Sequence, residues 1–182
     1  MLALVLAAMP VNVWAAQKAN AEKPIGTFGA WRAYTYNEGG QTVCYMVTIK
    51  TIKSVPAKKR SAPYIMITHR PIEASTDVFS YGGGMLLDSH RGVKLQIGKA
   101  GFDLFSVRDT AWARDGITDH KIAAALQAAP MAQTMAWPTK KGARRVTDTF
   151  DLKGATLAYQ AIGRACGLIH AGKKKTSNKK IH

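Results

Sequence analysis

Gln41-Thr42-Val43-Cys44-Tyr45-Met46-Val47-Thr48-Ile49-Lys50-Thr51-Ile52 alternates so that Val43, Tyr45, Val47 and Ile49 share one face and Cys44, Met46 and Thr48 the other. A period of two is the signature of a β-strand. Asn37-Glu38-Gly39-Gly40 just before it has the chemistry of a tight turn. The aromatic segment Phe28–Tyr36, with Trp31, Tyr34 and Tyr36, is therefore expected to form a hairpin with it. The same pattern recurs along the chain. Tyr64–His69 reads as a short strand stopped at Arg70-Pro71, because the residue before proline stays extended and proline donates nothing to a ladder. Val93–Ile97 and Phe102–Val107 form a second hairpin around Gly98-Lys99-Ala100-Gly101, and Thr110–Ala113 is a further short strand. Met131–Trp137 and Ala143–Phe150 make a third hairpin across Pro138–Gly142. Gly82-Gly83-Gly84 breaks the chain, and Ser54–Ser61, with Pro56, reads as a basic loop.

Two segments change period. Thr118 is placed to cap a helix over about Asp119–Ala129, with Ile122, Ala125, Leu126 and Ala129 on one side. Asp151 is placed to cap another, whose apolar stripe is Leu152, Ala155, Ala158, Ala161, Ile162 and Ala165 and which stops at Gly167. The expectation is a mainly β chain: a single antiparallel β-sandwich or barrel-like domain with two short helices. The βαβ rhythm of a parallel sheet is missing.

Met1–Ala15 carries no charge, is rich in Leu, Ala and Val, and ends Val13-Trp14-Ala15. Such a run is too short to span a bilayer and has the size of a signal-peptide core, although no Lys or Arg precedes Leu2. The alternatives are an uncleaved membrane-associated end or a buried N-terminal helix, which Pro10 disfavours. The organisation expected is a signal peptide at 1–15, a linker at 16–26, one β domain at 27–168 and a lysine-rich disordered tail at 169–182. No transmembrane span is expected in the mature chain. Two cysteines, Cys44 and Cys166, in an exported chain read as one disulfide, the alternative being two free buried thiols.

Formal charge is +15, from 26 Lys and Arg against 11 Asp and Glu. The cations fall in blocks: Lys50, Lys53, Lys58, Lys59 and Arg60; Lys140, Lys141, Arg144 and Arg145; Lys173, Lys174, Lys175, Lys179 and Lys180. Such a field favours anionic partners, lipid or polysaccharide, or else simply keeps a solvated terminus soluble. No helix-turn-helix, zinc-finger spacing or RNP-like aromatic pair supports specific nucleic-acid binding.

Catalytic signals are thin. His69, His90 and His120 lack metal-site spacing, and no cofactor is expected. Asp77, Asp88, Asp103, Asp109, Asp115 and Asp119 are numerous enough to pair, yet surface ion pairing with the basic residues is the simpler account. Gly82-Gly83-Gly84 lacks the lysine and hydroxyl of a phosphate loop. Trp31, Trp112 and Trp137 either anchor a core or line a groove.

Several stretches, in order, resemble the invasion-associated locus B family of exported alphaproteobacterial proteins. They are Phe28-Gly29-Ala30-Trp31, Val43-Cys44-Tyr45-Met46, Thr68-His69-Arg70-Pro71, Phe102-Asp103-Leu104-Phe105, Ala111-Trp112-Ala113-Arg114, Thr147-Asp148-Thr149-Phe150-Asp151-Leu152-Lys153-Gly154 and Ala161-Ile162-Gly163-Arg164-Ala165-Cys166. The resemblance implies a signal-bearing, mainly β envelope protein, periplasmic or outer-envelope associated or secreted. The family's founding member is associated with bacterial entry into red blood cells. The family has no established catalytic residues, so none carries over. The function expected is non-catalytic binding of an envelope or host-surface protein, or of anionic lipid or polysaccharide. A periplasmic hydrolase acting on cell-wall or lipid substrates, or a structural envelope-stress factor, is the alternative.

Overall fold

The computed structural model describes residues 21–54, 60–140 and 142–169, and there the alternating segments become eleven strands and two helices. The strands are β1 (Lys23–Phe28), β2 (Trp31–Glu38), β3 (Gln41–Thr48), β4 (Thr51–Ser54), β5 (Tyr64–Arg70), β6 (Ser75–Gly82), β7 (Val93–Ile97), β8 (Ala100–Val107), β9 (Thr110–Trp112), β10 (Met131–Ala136) and β11 (Val146–Asp151). The helices are α1 (Gly116–Ala128) and α2 (Ala155–Ala165). The strands form one antiparallel sheet in the order β1-β2-β3-β5-β6-β9-β8-β7-β10-β11-β4. The sheet curls into a half-barrel, so the expected mainly β fold with two short helices takes the barrel-like form. β8 makes the turn in the sheet: Ala100–Leu104 pairs with β7, and Phe105–Val107 pairs with β9.

The concave face is the core. Trp31, Met46, Ile65, Ile67, Phe79, Tyr81, Leu95 and Phe150 are buried there, and α1 and α2 add Ile122, Leu126, Ala158 and Ile162. Each large side chain withdrawn from water in this way contributes about 1.5–3 kcal/mol before chain entropy is charged against it.

The segment expected to be one strand through Ile52 is two. The Thr48 hydroxyl accepts the Lys50 N–H at 3.1 Å, and the chain turns there. β4 then joins the opposite end of the sheet, beside β11. A register shift in that pairing leaves Ile52 between the Thr51–Phe150 and Lys53–Thr149 partners. The expected linker also yields: β1 begins at Lys23, and its pairing with β2 shifts register between Pro24 and Gly26. β6, over a stretch to which the sequence pattern assigns no element, is a full strand.

Both helix caps differ from expectation. Asp115, not Thr118, caps α1, its Oδ1 accepting the Thr118 N–H at 2.7 Å. Asp151 remains in β11 and accepts the Lys153 N–H, so α2 starts from Gly154. Only glycine serves at that cap. Its φ is +94°, and a Cβ there would lie 2.0 Å from the Phe28 carbonyl oxygen. Beside it the Ala30 N–H donates to the Lys153 carbonyl at 2.9 Å, sealing the β1–β2 turn against the start of α2.

Candidate functional site

The first two basic blocks, Lys50–Arg60 and Lys140–Arg145, reach the same edge of the sheet. Lys53 lies on β4, the outermost strand, and Arg144 and Arg145 lead directly into its neighbour β11. Lys140 lies in the connection from β10 to β11. All four are exposed, and among the described residues none of them makes an ion pair. Lys50 is exposed too, its Nζ 3.4 Å from Asp151. Lys58, Lys59, Lys141 and the tail lysines Lys173, Lys174, Lys175, Lys179 and Lys180 lie outside the described residues, as does the expected signal peptide.

Arg60 is a correction. Expected on the anion-binding surface, it points inward with a side chain 4% exposed. Its guanidinium grips both carboxylate oxygens of Asp148, donates to the Gly83 carbonyl at 2.6 Å and reaches the Tyr81 hydroxyl at 3.1 Å. Asp148 is fully buried, and it also accepts from the Ser54 hydroxyl at 2.6 Å and the Tyr81 hydroxyl at 2.8 Å. Burial and the adjacent carboxylate push the Tyr81 phenol well above its ordinary range. This is a satisfied internal ion pair, whose planar bidentate geometry suits arginine.

A second buried group joins four elements. Asp77, at the start of β6, is 5% exposed and adopts φ +63°, a left-handed conformation that aspartate tolerates better than most side chains. Its Oδ1 accepts from the Tyr159 hydroxyl of α2 at 2.6 Å, and its Oδ2 lies 2.7 Å from His120 Nδ1 of α1. Its backbone N–H donates to His69 Nδ1 of β5 at 3.1 Å, which places the ring proton of neutral His69 on Nε2. One residue along α1, buried Asp119 accepts the Phe79 N–H at 2.8 Å, and burial raises its carboxyl above the usual range.

Surface ion pairing thus describes Asp103, which faces Lys94, but not Asp77 or Asp119. With Asp77, Asp119 and Asp148 all interior, the solvent-facing charge is more cationic than the formal count suggests.

A His–Asp pair with one exposed ring could orient a general base. Four surface hollows, of about 170 to 340 Å³, are lined by other residues, among them Ser61, Tyr64, Gly82 and Arg108 in one and Arg32, Tyr34, Ile49 and Lys50 in another. Through these bonds the cluster is a clasp, fastening both helices to the sheet. Among the described residues, no three His, Cys, Asp or Glu side chains are grouped to hold a metal ion. Trp31 is wholly interior, and one face of half-buried Trp137 lies under the Arg91 guanidinium at 5.1 Å.

The clasp carries a pH signature. Burial pushes the His69 imidazole below its ordinary 6.5, with Asp77 opposing. The unfolded chain therefore takes up this proton more readily than the folded one. Its contribution to stability is complete above about pH 6.5 and is lost as pH falls from there through the lower folded value. Melting temperatures followed from about pH 7 to about pH 5 should fall less steeply for His69→Gln than for the parent. Identical slopes would exclude His69 as the source.

The expected disulfide is present. Cys44 on β3 bonds Cys166 at the C-terminal cap of α2, with the two Cα atoms 6.0 Å apart. An antiparallel half-barrel with two helices in its hollow and one long-range staple is the class of fold that these features define.

No family model matches the chain, and no curated protein matches it. Among solved structures, the crystal structure of invasion associated protein B from Bartonella henselae shares the fold, with a TM-score of 0.57 and 19% sequence identity. The match covers 80% of this chain and 98% of that one. At such identity the likeness establishes the fold, and it agrees with the resemblance read in the sequence. No helix among the described residues is long and apolar enough to cross a membrane.

Proposed function

We propose that this chain is an exported envelope protein of the invasion-associated locus B type, non-catalytic, which binds a protein partner or an anionic surface through its basic sheet edge. The observation that carries the reading is the convergence of Lys53, Lys140, Arg144 and Arg145, exposed and free of ion pairs among the described residues, where β4 meets β11. Sequence-distant cations gathered on one edge make a local field that the formal charge alone would not.

Two observations support export. The uncharged Met1–Ala15 run has the size of a signal-peptide core, and a Cys44–Cys166 bond belongs in an oxidising compartment. The His120–Asp77 pair is the feature that would favour a hydrolase, but none of the hollows described is lined by it, and its carboxylate is committed to Tyr159.

The test is envelope retention of the full chain against a variant carrying Lys140→Gln, Arg144→Gln and Arg145→Gln. Each cation near an anionic surface contributes about 1 kcal/mol, so retention should weaken roughly ten- to hundredfold and lose much of its salt dependence. Unchanged retention at physiological salt would reject the electrostatic reading. The mass of the exported form, beginning near Ala16 or Gln17, checks cleavage separately.

A further inference from the structure

The turn from β3 into β4 carries an unusual mixture. Ile49 and Ile52 are 56% and 58% exposed, and they are interleaved with exposed Lys50 and Lys53. Close by, Met131 is 48% exposed and stands directly opposite Asp151, the residue that Lys50 pairs with. Large aliphatic side chains cost free energy in water, and a soluble surface rarely concentrates them. Here the register shift leaves Ile52 as the extra residue of the β4 pairing, and Ile49 lines a hollow beside Val47, Tyr34 and Arg32.

We propose that this corner, Ile49–Lys53, is a membrane-surface contact that seats on an anionic lipid bilayer, its isoleucines entering the headgroup boundary and its lysines meeting lipid phosphates. The inference deepens the anionic-surface reading above, rests on it, and names its ligand. Apolar side chains flanked by lysine are the combination that an anionic interface rewards, since burial and charge attraction add. The corner also leads into the edge where Lys53 and Arg145 lie, so a bilayer touching one would meet cations of the other. An acidic polysaccharide fits less well. Sugars pack on open aromatic faces, and one face of Tyr34 is taken up by Tyr45, ring centroids 5.2 Å apart and planes 20° off parallel. The side chains interleaved with the lysines along the chain, Ile49 and Ile52, are aliphatic.

The experiment is co-sedimentation of the full, disulfide-bonded chain with vesicles of phosphatidylethanolamine and phosphatidylglycerol, and with vesicles of phosphatidylcholine alone. Soluble dextran sulfate serves as a non-lipid polyanion, its binding measured in parallel. The proposal expects binding to the anionic vesicles, weakened about tenfold or more by Ile49→Ser with Ile52→Ser and severalfold by Lys53→Gln. Ile72→Ser, on a still more exposed isoleucine in the connection between β5 and β6, should change nothing. Dextran sulfate binding should ignore the isoleucine changes.

Vesicle binding indifferent to the isoleucine pair would overturn the corner contact and leave the electrostatic reading standing. Binding to dextran sulfate but not to vesicles would overturn the lipid assignment in favour of a polysaccharide. Binding to neither would remove both this inference and the anionic-surface reading beneath it. Because all the replaced side chains are exposed, folding of the variants is checked simply by their melting temperatures.

Discussion

Asp148→Ala is expected to destabilise the folded chain by about 3–5 kcal/mol, a large share of the total stability of a domain this size. The loss arises less from the missing contact than from what remains. Arg60 would stay in a site only 4% exposed with its countercharge gone, and Tyr81 and Ser54 would lose their acceptor. Replacing both partners with apolar residues, as in Arg60→Met with Asp148→Leu, should recover much of the deficit, since neither leaves a charge in the interior. Urea denaturation of the three proteins, disulfide intact, measures all of this. A single variant within about 1 kcal/mol of the parent would mean that water reaches Arg60 and that the pair is not the internal anchor described.

Removing the disulfide should have the next largest effect. The bond spans 122 residues, and chain-entropy arithmetic for a loop of that length gives about 4–5 kcal/mol. Engineered bonds often deliver less, so about 3–5 kcal/mol is expected for Cys44→Ser with Cys166→Ser. The loss should not be uniform. Tyr159 still holds α2 to Asp77, so the end of the helix near Cys166 should lose amide protection before its middle does. Denaturation with and without reductant gives the global figure, and hydrogen exchange gives the distribution. A reduced chain as stable as the oxidised one would show that the unfolded state is already constrained.

Much of the fold was legible because its signal is local. The Val93–Val107 hairpin, the strand that begins at Gln41 and the two helical stripes each follow from residues close together in the chain. The breaks were harder. Thr48 to Ile52 keeps the strand pattern, and only the tertiary position of β11 explains why the chain turns at Lys50. At α2, Asp151 is the better cap by residue type, but the close approach of Phe28 admits only glycine at the true one.

The interior charges carry a signal in the sequence. Val146, Asp148 and Phe150 share a strand face, so a carboxylate between two core residues already implied a buried partner. Asp77 likewise shares a face with Phe79 and Tyr81, but seeing that required recognising β6 as a strand. Arg60 misled for the opposite reason. It closes a run of lysines, and nothing in that run separates the one cation that turns inward. The meeting of the basic blocks at one edge follows from sheet order, which no local pattern encodes.

That sheet order bears on how the protein is made. β4 emerges early, yet among the described residues the one strand it pairs with is β11; Ser54 and the Asp148 it pairs with are 94 residues apart. While the chain is synthesised, the β4 segment lacks β11 until nearly all of the domain has been made. It spends that interval as an open, isoleucine-bearing strand, the kind of segment that pairs with the wrong chain. Lys50 and Lys53 stand beside Ile49 and Ile52 in that stretch, and charges flanking an aliphatic strand oppose such mispairing.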